Sequence, residues 1–235
     1  MIAKKRISRF SLLSLLFGTA IVAIIFAIIS RPKGFPDLPV NPNAPPIIYA
    51  AQRGDSSAVR EIVSSNPNAI FTTDAYGNTA ANSAIQHYHP EIAIYLIGNG
   101  YPIDPQTPDE FPLIMSCLSC LDPGSTQMLK YLLENGADPN IIYEPEGWIP
   151  LNMAVNNGKE EDVKLLLQHG AIFDSRDRHG ITSLEKAEAR LIEYRNPNSR
   201  TSRGMNYFDR RRGIAKWERM IKILNANQTS QITKR

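Results

Sequence analysis

The sequence predicts an all-α repeat array preceded by one membrane-spanning helix, and three observations predict it. An apolar helical face recurs four times and closes at Asn66, Gly100, Gly136 and Gly170, which are 34, 36 and 34 residues apart. A shorter helix start precedes each recurrence, with Ala50, Ala84, Ser116 or Ala154 near its middle. Residues 10–30 hold 16 apolar residues and no charge.

At the N-terminus, residues 1–9 form a basic flank with Lys4, Lys5, Arg6 and Arg9 and no acid. The 21 residues 10–30, at 1.5 Å rise each, reach about 30 Å, the thickness of a bilayer's hydrocarbon core. A cleavable signal has an apolar stretch of about 7 to 15 residues. The one small-residue cleavage site, Gly18-Thr19-Ala20, would cut this run in half. The expectation is therefore an uncleaved signal anchor. The heavier basic flank before the segment places the N-terminus in the cytoplasm and the rest across the membrane, as in a single-pass inner-membrane protein with a periplasmic domain. Residues 31–45 follow, with prolines at 32, 36, 39, 42 and 45, and are expected to form an extended stalk.

The charges divide in the same way. The chain has 235 residues with 26 basic and 23 acidic, a net charge of +3. Residues 31–189 carry 10 basic and 20 acidic residues, whereas residues 190–235 carry 12 and 3. The positive excess is thus the membrane-orienting flank, and the remainder is an acidic body with a basic end. Hydrophobic content of 43% and aromatic content of 8% exclude a disordered chain and a multi-span membrane protein.

Residues 46–226 are expected to fold as five helix-turn-helix units near 46–73, 74–108, 109–142, 143–176 and 177–226, with a polar tail at 227–235. The second helices bury Val59, Ile62 and Val63; Ala93, Leu96 and Ile97; Leu129, Leu132 and Leu133; and Val163, Leu166 and Leu167. The Asn or Gly that ends each suits a left-handed C-terminal cap. Pro46, Pro112 and Pro150 open first helices, where a missing N–H costs nothing. In units one, two and four the second-helix position lies 13 residues after the helix start. Unit three inserts 4 residues and unit five 21, because its next suitable face is Trp217, Met220, Ile221 and Leu224. The insertion at 195–213 reads as a surface loop with a short helix near Tyr207 and Phe208.

These residues resemble the ankyrin repeat. Asp74, Gly77 and Thr79, and Asp177, Gly180, Thr182 and Leu184, match that family's turn and helix start, and Leu132, Leu133, Gly136, Ala137, Asp138 and Asn140 match the end of its second helix. The family's usual histidine is replaced by Ile48, Asn82, Ile114, Asn152 and Glu185, so the resemblance does not by itself supply the usual polar links between repeats. It implies an ankyrin-repeat solenoid whose concave side, built from turn tips and first helices, binds a protein. On that side it places Tyr49, Arg53, Tyr76, Phe111, Tyr143, Trp148, Arg178 and His179, with Tyr143 and Trp148 as the favoured pair.

Other candidates are weaker. Cys117 and Cys120 form a C-x-x-C without the strand-to-helix context of a redox motif, so a local disulfide is preferred, ahead of two free thiols and of thiol redox catalysis. His87 and His89, His169, and His179 come from three different units, and no metal site is expected. His87, His89 and Glu91 fit the turn between two helices, while Glu144, Glu146, Glu160, Glu161 and Asp162 read as solvated charge. No phosphate-loop, serine-hydrolase or zinc-protease motif occurs. The basic end from Arg195 to Lys222 suits a solvated cap, an acidic partner or a membrane surface, in that order.

The functional expectation is a membrane-tethered, non-enzymatic module that binds a protein partner, such as an envelope immunity protein that neutralises a toxin or effector. The alternatives are an envelope scaffold that tethers an enzyme and, behind it, a C-x-x-C oxidoreductase. Neither cofactor, nucleic acid nor small-molecule substrate is expected.

Overall fold

A computed structural model describes residues 39–232 apart from 76, 108, 109, 121, 123 and 145. The expected membrane anchor at 10–30 and its basic flank lie outside these residues. Among those described, no helix is long and apolar enough to cross a membrane.

The described chain is all-α. The first unit contributes α1 (Pro46–Gln52) and α2 (Ser56–Ser65), followed by a 3-10 turn at Pro67–Phe71. Next come α3 (Ala80–Gln86) with α4 (Pro90–Gly98), and α5 (Leu113–Ser119) with α6 (Gly124–Glu134). The array ends with α7 (Pro150–Asn156) and α8 (Glu160–Gln168), then α9 (Ser183–Arg195) and α10 (Tyr207–Ile232). The first helices α1, α3, α5, α7 and α9 form one row in which each packs on the next, and α6, α8 and α10 pack successively in the second row. One core runs through the stack, from Ile47 and Ile48 to Trp217, Met220 and Leu224.

Local sequence explains the helix starts. Asp55 and Thr79 accept hydrogen bonds from the backbone amides of Ala58 and Asn82, and Thr182 with Glu185 forms a reciprocal capping box. Gly100, Gly136 and Gly170 take left-handed backbone after their helices, with φ of 99°, 96° and 93°. Asn66 departs from the expectation. Its φ is −143°, because Pro67 follows it and disfavours helical backbone in the preceding residue. The chain then continues into the 3-10 turn. Tyr88, in the position where the first and fourth units use Gly54 and Gly158, is the one described non-glycine residue at positive φ, 67°.

Of the stalk expected at 31–45, residues 31–38 lie outside the described residues. At its end residues 41–44 are not extended: Ala44 donates to Asn41 O at 3.2 Å, and the Asn41 amide donates to Gln52 Oε1 on α1 at 2.9 Å. Nor does the long insertion hold only a short helix. α10 starts at Tyr207 and runs without a break to Ile232, through most of the residues read as a polar tail. The connection at 196–206 folds back on α9, where the Ser199 and Ser202 hydroxyls donate to Glu193 O at 2.6 and 2.9 Å. Trp217, Met220 and Leu224 are buried, and a Cβ on Gly213 would meet the Tyr194 ring at 2.0 Å, so α9 and α10 approach closely there.

The links between repeats are rebuilt from other side chains. Buried Asn82 donates to Phe111 O at 2.8 Å and accepts from the Ser116 hydroxyl at 2.6 Å, which joins α3 to the next tip and to α5. Asn152 repeats the arrangement, donating to Ile181 O at 3.1 Å and accepting from Ser183. At the outer edge, Asn140 donates to Gly170 O at 3.1 Å and accepts from the Ile172 amide at 2.8 Å.

Asp162 is another correction. It is buried rather than solvated: its carboxylate lies 3.2 Å from Lys159 Nζ and accepts from the Thr126 hydroxyl at 2.7 Å. Lys159 also donates to Cys117 O at 3.2 Å and Ser125 Oγ at 3.1 Å, so one charged cluster clamps the third unit to the fourth.

Candidate partner-binding site

The turn tips are shaped by short-range chemistry. Asp177 accepts from the amides of His179 and Ile181 at 2.9 and 3.0 Å, and Gly180 completes the turn at φ 72°. Asp74 does the same at the second tip, accepting from the Asn78 amide at 2.9 Å, with Gly77 at φ 77°. Bridges pair Thr73 with Thr79, Tyr143 with Trp148, and Arg176 with Thr182, so these tips are small hairpins. Between Tyr143 and Trp148 the turn passes through Gly147, where a Cβ would lie 2.7 Å from Arg178 Cβ on the next tip. Neighbouring tips are therefore in contact.

This geometry gathers part of the predicted surface. The Tyr143 and Trp148 rings lie 6.1 Å apart, and Phe111 from the preceding tip meets them edge-on at 5.1 and 6.4 Å. Trp148 remains 41% exposed. On the next tip, Arg178 Nε donates to His179 Nε2 at 3.2 Å. Tyr49 on α1 and Arg53 at its C-terminal cap form a separate pair, in which the guanidinium donates to the Tyr49 hydroxyl at 3.2 Å. Tyr76 lies outside the described residues.

Between the third, fourth and fifth units runs a groove of about 470 Å³ lined by Trp148, Arg178 and His179, with Met153, Asn156 and Lys186 among its further walls. Lys186 binds Asp177 at 2.7 Å. Burial alone would raise the Asp177 carboxyl, but Lys186 and the two tip amides outweigh it and hold it below the ordinary range. Glu146, expected to be solvated charge, instead lines the groove, and its Oε2 is buried without a hydrogen-bond partner. Neither Glu146 nor Lys186 was legible as a groove residue. Their placement depends on how one tip leans on the next, a contact with no local pattern.

The remaining candidates take structural places. Cys117 and Cys120 are buried free thiols, against the preferred disulfide. Cys117 lies within α5, while Cys120 has left the helix and its thiol donates to Ile85 O at 3.5 Å. Burial raises Cys117 well above the ordinary thiol range and Cys120 from 9.0 to about 12. A redox role requires the opposite shift. At neutral pH the Cys120 shift lowers the thiolate fraction about a thousandfold. Alkylation of the native protein should be slower than that of the urea-unfolded chain by about that factor, as read by mass spectrometry. The sign for stability follows: the unfolded thiol ionises first, so stability present below pH 9 is lost as pH rises toward 12.

His89 lies 3.7 Å from Glu91, and its ring occupies the space a Cβ on Gly54 would need. Burial lowers the His87 pKa and raises that of Glu91. These groups hold the turn between α3 and α4. Among the described residues no three metal-ligating side chains converge.

The repeating pairs of helices, the hairpin tips and the continuous row of first helices define an ankyrin solenoid. Comparison with known proteins agrees. Residues 113–194 match the family model for ankyrin repeats in three copies. The chain is 39% identical over 67 residues to the 2-5A-dependent ribonuclease of Mus musculus, covering 28% of this chain and 9% of that protein. It is 25% identical over 147 residues to a putative palmitoyltransferase, ZDHHC13, of Danio rerio, 62% of this chain and 22% of the relative. To the ankyrin repeat protein nuc-2 of Neurospora crassa it is 28% identical over 145 residues, 60% and 13%. The chain spans less than a quarter of the length of these relatives. Residues 113–194 thus carry ankyrin repeats, a fold that serves as a protein–protein interaction module.

Proposed function

We propose that this chain is a membrane-tethered, non-enzymatic receptor that holds a protein partner in the groove between its third and fifth units. The tether rests on the uncharged apolar run at 10–30 and the basic flank before it. The observation that carries the binding reading is the exposed Trp148 beside the buried, unpartnered oxygen of Glu146. An unpaired carboxylate oxygen in a groove favours a cationic or N–H group from outside, and an adjacent indole favours the same group through its ring face. The partner's recognition segment therefore presents a Lys or Arg. The acidic balance of residues 31–189 adds long-range attraction for such a partner. In an envelope this suits an immunity protein that blocks a basic toxin or effector.

A photo-crosslinker at position 148 should capture the partner, whereas one at exposed Lys164 on α8 should not. Trp148→Ala should then weaken binding by about 2 kcal/mol, roughly 30-fold in Kd, and Glu146→Gln by about tenfold. Wild-type affinity in both variants would exclude this groove. Deleting the gene separates immunity from scaffolding: loss of viability only when the partner is active marks immunity, and loss of an enzymatic activity marks scaffolding. A reporter active only outside the cytoplasm, fused after residue 235, tests the topology.

A further inference from the structure

The fifth unit sorts the basic end into two groups. Some cations are spent on the array itself. Arg219 Nη2 lies 2.9 Å from Glu160 on α8, and Arg195 lies 2.9 Å from Glu218 across the α9–α10 pair. Others sit where the connection at 196–206 meets the first turns of α10. There Arg200, Arg203 and Arg211 are exposed and Arg210 is half-buried, and none of the four has a carboxylate partner among the described residues. Arg212 is shared with Asp209 at 3.3 Å, the one acid in this turn.

Large apolar groups stand among these charges. Phe208 is 71% exposed, Tyr207 57% and Met205 39%. Residues 207, 208, 211 and 212 are related by three- and four-residue steps, so they share one helix face. Within it the Tyr207 and Phe208 rings pack edge-on at 5.7 Å, and Arg211 donates to the Tyr207 hydroxyl at 3.3 Å. The aromatic pair is thus held outward rather than folded onto the core. Solvating a cap requires charge but not exposed Phe and Met. That combination of unpaired arginines and protruding aromatics is what a polar and apolar bilayer interface accommodates.

We propose that this tip, formed by Arg200, Arg203, Met205, Tyr207, Phe208 and Arg211, docks on an anionic lipid surface. It is separate from the Trp148 groove and uses the tether only to be near a membrane. Phosphate headgroups pair with the arginines, while the rings enter the headgroup layer. Each basic residue at such a surface strengthens attachment about fivefold, and salt screens it. The solenoid is then held at both ends, by its N-terminal segment and by its last helix pair.

The test uses the full chain inserted in nanodiscs, with Met205→Cys carrying an environment-sensitive dye and alkaline extraction checking insertion separately. Discs containing phosphatidylglycerol should shift the dye to the blue, with a docking constant at least tenfold above that in phosphatidylcholine alone. Arg203→Glu with Arg211→Glu should reduce that constant more than tenfold, and so should high salt. Tyr207→Ala with Phe208→Ala should abolish the blue shift, and circular dichroism should show both pairs folded. Equal signals on the two lipids, or no loss on charge reversal, would overturn the proposal. So would a response to added polyglutamate and not to phosphatidylglycerol, which would mark an acidic protein as the occupant. A blue shift on phosphatidylglycerol vesicles without insertion would keep this surface and remove the tether.

Discussion

Asp162→Ala is expected to destabilise the array by about 3–5 kcal/mol, the cost of leaving a buried charge without its partner. Asp162 is fully enclosed, and the ammonium it faces, that of Lys159, is itself only 14% exposed. Removing the carboxylate strands that ammonium and the Thr126 hydroxyl between the third and fourth units. Urea unfolding followed by circular dichroism measures the loss. Much of it should return in Lys159→Met with Asp162→Leu, because two apolar side chains leave no charge to solvate. If the single variant loses less than about 1 kcal/mol, water reaches the cluster and the clamp is not a clamp.

The second large effect is expected at Asn82. Asn82→Ile puts there the residue type that the first and third units carry at Ile48 and Ile114. Yet it should cost about 2–3 kcal/mol, since Phe111 O and the Ser116 hydroxyl lose their partner inside the stack. Adding Ser116→Ala should restore about 1 kcal/mol by removing one stranded group. An unchanged urea midpoint in the single variant would mean that these two groups find other partners. Because each repeat is stabilised through its neighbours, the loss should appear between units two and three first. Hydrogen exchange of the α3 and α5 amides would locate it.

The fold was legible because its main signals are local and repeat. Val59, Ala93, Leu129 and Val163 recur with their partners at helical spacing, and all four are fully buried. The glycines after three second helices announce left-handed caps, and the structure has them. Asn66 breaks this pattern because Pro67, also a local signal, disfavours helical backbone in the residue before it. The helix expected around Trp217, Met220 and Leu224 is longer than its apolar face, because packing of those residues carries it into the polar segments on both sides.

The candidate site was legible in part. Tyr143 and Trp148 could be paired from the turn that joins them, and Phe111 from the equivalent tip before it. Their grouping with Arg178 depended on the close approach at Gly147, which is a relation between two turns. Similar reasoning applies to charge. Glu146, Glu160 and Asp162 look alike in sequence, but one lines a groove, one pairs with Arg219 and one is buried against Lys159.

The repeated helix pairs of the first four units and the side each turns inward are set by the sequence, because backbone propensity and apolar periodicity act within a few residues. Tertiary structure alone decided which polar side chains are buried, paired or left open. Those outcomes depend on desolvation and on partners about 30 or more residues away, as Asn82 with Ser116 and Arg219 with Glu160 show.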